Sequence, residues 1–130
     1  MRERIAVVAL IAERDDKFLV ARRLKGTHLA GCWEFPGGKV HDDETNEAAL
    51  EREIDEELGC SVVGLRAVFR TSHDYPERTV ELQFFRGQLV GTPAGRLGQE
   101  LKWVPREEFA SLEFPPADAE LIDQLLHRRL

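Results

Sequence analysis

The stretch GGKVHDDETNEAALEREIDEELGC, residues 37–60, decides the fold of this chain. Its opening pair, Gly37-Gly38, can take positive φ and predicts a tight turn. A helix is expected to start after a cap at Thr45 or Asn46 and to stop at Gly59, with no Gly or Pro between. Apolar residues recur at helical spacing and predict a buried stripe made of Ala48, Ala49, Leu50, Ile54 and Leu58.

The other face of this helix is acidic. Glu53, Glu56 and Glu57 stand at i, i+3 and i+4, so their carboxylates share one face and repel one another. A hard divalent cation between them would reverse that repulsion, because such ions take carboxylate oxygens. Arg52 can orient a carboxylate, such as that of Glu44, through a charge-assisted hydrogen bond. The charge run alone is also compatible with an ordinary solvated acidic face.

The order of the residues in this stretch is more specific than their charge. Gly38, five residues, Glu44, seven residues and then the run 52–60 fit the pattern G-x5-E-x7-R-E-U-x-E-E-x-G-U, where U is apolar. The chain thereby resembles the Nudix hydrolase family at every fixed position of its signature. The flanking segment WEFPGGK (33–39) and the segment FPPAD (114–118) resemble the MutT-like branch, in which an asparagine stands at the position of Asp118.

The resemblance implies a fold and an activity. The expected fold class is α/β: a Nudix fold, an α/β/α sandwich with a central mixed β-sheet, formed by residues 1–130 as a single domain. The implied activity is that of a nucleoside triphosphate pyrophosphohydrolase using Mg²⁺ or Mn²⁺, with 8-oxo-dGTP as the expected substrate. It would release the monophosphate and pyrophosphate, cleansing the nucleotide pool for DNA repair and replication.

Other substrates and another class of protein stay open. CTP, dCTP or a modified dCTP is the alternative substrate, and nucleotide sugars, ADP-ribose or dinucleotides are further candidates. A nucleotide-binding regulatory module without turnover is the alternative of another class. The complete glutamate set argues against such a module, because binding alone does not need all three carboxylates.

The same resemblance implies the catalytic residues. The expected metal ligands are the Gly38 carbonyl and the carboxylates of Glu53, Glu56, Glu57 and Glu100. Either Glu53 or Glu100 would be the base that takes a proton from the attacking water. Arg52 would orient a carboxylate and Glu44 would brace the loop.

Residues around the signature are expected to bind the nucleotide. They are Arg23, His28, Phe35, Gly37, Lys39, Arg78 and Asp118. A guanidinium suits phosphate geometry, and an aromatic ring can stack on a base. Each also has a plainer interpretation, such as a solvated surface base for Arg23, core packing for Phe35 and a helix N-cap for Asp118.

Asp118 bears on which base is read. An ionised Asp only accepts hydrogen bonds, so it can accept from N1–H and N2–H of guanine or from N4–H of cytosine. Burial would raise its pKa and restore a donor.

Composition narrows the class of protein further. The chain has 130 residues, a net charge of −6 and 42% hydrophobic residues, which is typical of one globular domain and offers no basic stripe for nucleic acid. There is no Walker loop, zinc-binding pattern or G-x-S-x-G motif. Cys32 and Cys60 form no disulfide framework, and Ile5–Ala12 is too short for a signal peptide or a membrane span. We therefore expect a cytoplasmic monomer or homodimer acting on a small molecule.

The remaining elements follow from composition and alternation. Ile5–Ala12 predicts a central strand buried on both faces, with Lys17–Arg22 as its hairpin partner. Further strands are expected at Ser61–Thr71, Thr79–Val90 and Gln99–Val104, with a turn over residues 72–78. Two more helices are expected, at Pro105–Leu112 and Ala119–Arg129.

Overall fold

The structure, a computed structural model, describes residues 2–128 and 130. Its strands are β1 (Glu3–Ile11), β2 (Glu13–Arg14), β3 (Lys17–Arg22), β4 (Trp33–Glu34), β5 (Gly37–Lys39), β6 (Ser61–Asp74), β7 (Arg78–Val90) and β8 (Leu101–Pro105). Its helices are α1 (Asn46–Leu58) and α2 (Ala119–Leu126), with 3₁₀ turns at Arg106–Ser111 and Pro116–Asp118. None of the described helices is long and apolar enough to cross a membrane.

The strands form two four-stranded sheets. The first sheet is mixed and has the order β5-β1-β7-β6, with β1 parallel to β7 and the other pairs antiparallel. In the second, β3 pairs with β8 along one edge and with β2 and β4 along the other. The mixed sheet is the central layer that the sequence predicted.

Strand β1 is buried on both faces in its second half, as its unbroken apolar run predicted. Alternate side chains point to opposite faces of a strand, so β1 contributes to two cores. Val8 and Leu10 pack in the core under α1, whereas Ala9 and Ile11 pack in the core that includes α2. Helical layers therefore cover both sides of the sheet, which confirms the α/β/α sandwich.

Helix α1 begins and ends where its local sequence predicted. The Thr45 hydroxyl accepts a hydrogen bond from the Ala48 N–H at 3.1 Å, which caps the helix and is typically worth about 1 kcal/mol. Gly59 takes the left-handed conformation with φ of 69° and donates its N–H to the Asp55 carbonyl. One detail of the predicted stripe was wrong: Ala48 is exposed, and Leu50 and Ile54 lie in the core.

The prediction of a tight turn at Gly37-Gly38 was wrong. Both residues lie in strand β5 opposite β1, and neither has a positive φ. A Cβ on Gly37 would overlap the Val8 carbonyl oxygen. Glycine is required here because two backbones approach closely, and local turn propensity cannot detect a partner strand.

The predicted hairpin between Ile5–Ala12 and Lys17–Arg22 was also wrong. The two segments lie in different sheets, because the chain leaves the mixed sheet after Ile11 and enters the second sheet at Glu13. The hairpin instead joins β2 to β3 through Asp15-Asp16, whose φ values of 54° and 61° are those of a type I′ turn.

Several predicted bounds shift by a few residues. The turn between β6 and β7 is confined to residues 75–77, since both strands are longer than expected. The strand predicted at Gln99 begins at Leu101, and the helix predicted after it is a 3₁₀ segment. Helix α2 ends at Leu126, and its predicted last residue, Arg129, lies outside the described residues.

Candidate active site

A cavity of about 400 Å³ lies on the face of the mixed sheet. All the residues predicted to contact the nucleotide line it, namely Arg23, His28, Phe35, Gly37, Lys39, Arg78 and Asp118. Part of its apolar wall comes from β1 and β7 and includes Val7, Val80, Leu82 and Phe84. The fold therefore gathers residues from six separate parts of the chain around one space.

Phe35 is both a core residue and a wall of the cavity. Its side chain is buried and stacks on Phe114, with ring centroids 5.7 Å apart and an interplanar angle of 20°. It also meets Phe84 edge to face at 6.1 Å. These contacts hold the ring in a fixed orientation at the cavity.

Arg23 is held by two contacts beside the cavity. Its Nη1 donates to Glu34 Oε2 at 2.5 Å, and its Nε donates to the His28 carbonyl at 2.6 Å. Burial raises the pKa of Glu34, and the charge of Arg23 partly opposes this. Sequence reasoning missed Glu34, although it stands directly before Phe35 in the segment that carries the family resemblance.

Asp118 is buried in the cavity wall, with 6% of its surface exposed. Burial, and then the nearby charge of Glu34, raise its pKa to about 7, while Arg23 opposes the shift. Asp118 precedes α2, but its carboxylate caps no N–H of that helix within the described chain. The N-cap interpretation is therefore not supported, and the carboxyl group faces the cavity.

The rim of the cavity carries an aromatic contact that sequence reasoning missed. The Tyr75 ring meets the His28 ring edge to face at 5.0 Å, which joins the β6–β7 turn to the loop after Arg23. The Tyr75 N–H also donates to the Arg78 carbonyl at 2.8 Å. The tetrad 75–78 resembles a turn of the MutT-like branch, but the contact of Tyr75 with His28 was not predicted, because the two residues lie far apart in sequence.

Arg52 organises the carboxylates on the acidic side of α1. Its Nε and Nη2 donate to the two oxygens of Glu44 at 2.7 and 2.8 Å, and its Nη1 donates to Glu53 Oε1 at 2.8 Å. Its Nη2 also donates to the Lys39 carbonyl at 3.0 Å, which connects α1 to β5. The hydrogen bonds from Arg52 lower the pKa of Glu44 to about 2. The predicted Arg52–Glu44 contact is thus present.

Gly38 lies directly against the Glu53 carboxylate. A Cβ on Gly38 would come within 2.5 Å of Glu53 Oε2, so a larger residue would displace that carboxylate. Glu57 is buried nearby, and among residues 2–128 and 130 its Oε2 has no hydrogen-bond partner. Burial raises the pKa of Glu57, and the adjacent Glu53 adds to this.

The oxygen atoms of these residues are suitable ligands for a hard divalent cation. The residues supply carboxylate oxygens, a buried oxygen without a partner and a glycine that leaves space beside Glu53. In the described part of the chain, no three Asp, Glu, His or Cys side chains already converge in a way that would hold a metal. Arg52 contacts one oxygen of Glu53 and one of Glu56, so the second oxygen of each carboxylate is the one that a metal would take.

Glu100 does not join the carboxylates of α1. Its carboxylate is exposed and lies 3.6 Å from Arg22 Nη1, and within the described residues it has no hydrogen bond or ion pair with α1. A second, smaller cavity of about 150 Å³ is lined by Glu57 together with Leu97 and Gln99. The β7–β8 loop, residues 91–100, meets α1 through Ala94, Arg96 and Gln99, and the role of Glu100 stays a prediction.

Comparisons with known proteins agree with this geometry. The family model described as NUDIX domain matches residues 7–124. The chain is 37% identical over 130 residues to the 8-oxo-dGTP diphosphatase of Haemophilus influenzae, covering 98% of this chain and 96% of that protein. It is 36% identical over 126 residues to the CTP pyrophosphohydrolase of Escherichia coli, covering 96% of this chain and 93% of that protein.

A solved structure gives the same result. It comes from a study of MutT from Aliivibrio salmonicida and Vibrio cholerae, and it matches this chain with a TM-score of 0.82 at 31% identity. The match covers 97% of this chain and 99% of the other. The chain therefore belongs to the NUDIX domain family and is a hydrolase of phosphorus-containing acid anhydrides.

Proposed function

We propose that this protein is a Mg²⁺-dependent pyrophosphohydrolase that converts 8-oxo-dGTP to its monophosphate and pyrophosphate. One observation carries the proposal: a largely apolar cavity ending at Asp118 meets Gly38, which lies against Glu53. A nucleotide requires these two environments side by side, an apolar pocket with a few polar groups for its base and a cationic site for its phosphates.

The end of the cavity at Asp118 and Phe35, the base end, suits an aromatic base with adjacent N–H donors. When ionised, Asp118 only accepts hydrogen bonds, and its carboxyl can take N1–H and N2–H of a guanine edge. Phe35 and Leu82 offer apolar contact to the flat faces of such a ring. Arg23 and Glu34 extend the polar edge beside Asp118.

The end of the cavity at Gly38, the phosphate end, combines a side-chain cation with metal ligands. Lys39 lines the cavity and can meet phosphate oxygens. Glu53, Glu56, Glu57 and the Gly38 carbonyl would hold Mg²⁺, or Mn²⁺ in its place. When bound, the metal would neutralise phosphate charge and lower the pKa of a bound water.

We assign the base to Glu53 in preference to Glu100. Glu53 lies against Gly38 beside the cavity, where an attacking water would meet the phosphate. Glu100 is exposed and is drawn to Arg22. The proton of the attacking water would pass to a Glu53 carboxylate oxygen that Arg52 keeps in place.

CTP or dCTP is the second candidate substrate. Asp118 can accept N4–H of cytosine as well as a guanine edge, and the relative from Escherichia coli at 36% identity is a CTP pyrophosphohydrolase. In either case the protein would cleanse the nucleotide pool, in the cytoplasm, in support of DNA repair and replication. We expect it to act as a monomer or homodimer.

A nucleotide panel tests the proposal. With Mg²⁺ present, we expect kcat/KM to be highest for 8-oxo-dGTP among 8-oxo-dGTP, dGTP, dCTP and 5-methyl-dCTP. A ranking led by dCTP or 5-methyl-dCTP would support the second candidate. Nucleotide binding without release of a monophosphate from any of them would reject the enzyme and favour a regulatory module.

A further inference from the structure

The C-terminal end of α1 is closed by the β7–β8 loop. The last carbonyls of a helix have no partner within the helix and must be satisfied from outside. The Ala94 N–H donates to the Leu58 carbonyl at 3.1 Å, and the Arg96 N–H donates to the Glu57 carbonyl at 3.0 Å. Arg96 Nη1 also donates to the Asp55 carbonyl at 3.2 Å. The loop thus holds the turn of α1 that carries Glu57.

Gln99 is a second side chain, after Arg96, that joins this loop to the helix. Its Nε2 donates to the Glu57 carbonyl at 3.0 Å, and its Oε1 accepts from the Leu97 N–H at 2.9 Å. The loop folds tightly around it, because a Cβ on Gly95 would overlap the Gln99 carbonyl. The two ends of this amide therefore fix the loop and the helix relative to each other.

The position of Glu57 depends on such a support. Among the described residues its Oε2 has no partner, so hydrogen bonding to that oxygen does not fix the carboxylate. The last turn of α1 contains no basic residue that would satisfy its carbonyls from within the helix. Gln99 also lines the smaller cavity beside Glu57 and directly precedes Glu100.

We propose that Gln99 is a positioning residue, which fixes the last turn of α1 and thereby directs the Glu57 carboxylate toward the divalent metal. This inference rests on the proposed function in one respect, that Glu57 binds the metal. Groups that hold the ligands of a metal in place are typically worth 10–100-fold in metal affinity or activity. Mg²⁺ is especially demanding, because it requires nearly ideal octahedral geometry.

The chain offers a matched control in Gln83 on β7. Like Gln99 it is half-buried, its Nε2 donates to a carbonyl, that of Phe69, at 3.1 Å, and its Oε1 accepts, from Arg70 at 3.0 Å. Gln83→Met and Gln99→Met therefore remove comparable hydrogen bonds at nearly constant volume. We expect both variants to fold and to lose a similar amount of Tm, roughly 2–6 °C.

Binding of Mn²⁺ to the nucleotide-free protein separates the two variants. We expect Gln99→Met to bind Mn²⁺ about tenfold more weakly than the wild type, measured from the EPR signal of free Mn²⁺, and Gln83→Met to be unchanged. At saturating Mg²⁺, kcat of Gln99→Met should fall while KM for the nucleotide stays nearly constant. A purely structural role would lower the Tm of both variants and leave both metal affinities intact.

Two outcomes would overturn the inference. One is a Gln99→Met protein with wild-type Mn²⁺ affinity, and the other is an equal loss of affinity in Gln83→Met. A wild type that binds Mn²⁺ but hydrolyses no nucleotide would contradict the proposed function alone. The Mn²⁺ comparison would still decide the role of Gln99 in that case.

Discussion

The two ends of the cavity are built from the chain in opposite ways. At the phosphate end, Gly38, Glu44 and the carboxylates of α1 lie within the single stretch 37–60. At the base end, Phe35, Tyr75 and Asp118 come from segments that are far apart in sequence. A site made from one continuous stretch can be recognised by spacing, whereas a dispersed site requires the fold to bring it together.

Both ends carry carboxyl groups with shifted pKa values. At the phosphate end, hydrogen bonds from Arg52 lower the pKa of Glu44, whereas burial raises that of Glu57. At the base end, burial raises the pKa of Glu34, and it raises that of Asp118 to about 7. We therefore expect the reading of the base by Asp118 to depend on pH near neutrality.

Removing a carboxylate at the phosphate end should give the largest effect. We expect Glu57→Gln to lower kcat by at least about 100-fold, because it removes a metal ligand. Unfolding in denaturant should show no loss of stability, since the buried Oε2 has no partner to lose among residues 2–128 and 130. Glu51→Gln, an exposed change on the same helix, is the control and should retain wild-type kcat.

Replacing the two adjacent glycines should have different effects: the change at Gly38 should lower activity, and the change at Gly37 should lower stability. We expect Gly38→Ala to lower kcat by roughly 10–100-fold with little change in stability, because its Cβ would push the flexible Glu53 carboxylate aside. Gly37→Ala should instead cost about 3 kcal/mol of unfolding free energy or more, since its Cβ meets the backbone of Val8. Denaturant unfolding and steady-state kinetics measure both. Equal stability of the two variants would contradict the assignment of separate roles.

The base end should respond to pH. Below pH 7 Asp118 gains a proton and loses acceptor capacity, so KM for a guanine nucleotide should rise by up to about tenfold per pH unit. Asp118→Asn should flatten this profile on both sides of pH 7. The exposed Asp123→Asn change in the following helix is the control and should retain the wild-type profile. A wild-type KM that is constant across pH 7 would argue against a carboxyl reading the base.

The same ionisation should appear in stability. The pKa of Asp118 in the folded protein, about 7, lies above its ordinary value of 3.8, so the folded state binds more protons between those limits. The contribution of Asp118 to the unfolding free energy is therefore present at low pH and is lost as pH rises toward 7. We expect Asp118→Asn to be more stable than the wild type at neutral pH, by up to about 4 kcal/mol in denaturant unfolding.

Glu100 should give the smallest effect. We expect Glu100→Gln to lower kcat less than about tenfold, because this side chain is exposed and its ion pair with Arg22, at 3.6 Å, contributes little. Glu53→Gln, measured beside it, should lower kcat by at least about 100-fold. The reverse order would identify Glu100 as the base and would extend the phosphate end into the β7–β8 loop.

The sequence predicted best those features that depend on residues close together in the chain. The bounds of α1 were predicted because Thr45 and Gly59 act on their immediate neighbours. Gly37 was misread as part of a turn, since its requirement comes from β1 on the neighbouring strand.

At the site, the contact of Arg52 with Glu44 was predicted because eight residues separate them. The residues Gln99 and Glu57 are 42 positions apart in the sequence, and no local sequence pattern predicts their contact. The residues around the base pocket were expected only through the family resemblance, and Glu34 and Tyr75 were missed.

The parallel pairing of β1 with β7 affects how the chain folds during its synthesis. Residues 3–11 find their neighbours at residues 78–86, so the strand that separates the two cores has no parallel partner until most of the chain has been synthesised. Folding of such long-range pairs is slow, because loop closure must be completed before the contacts stabilise it. On the ribosome, the apolar strand β1 would therefore lack its β7 partner until residues 78–86 have emerged, and this is the interval in which we expect a chaperone to bind it.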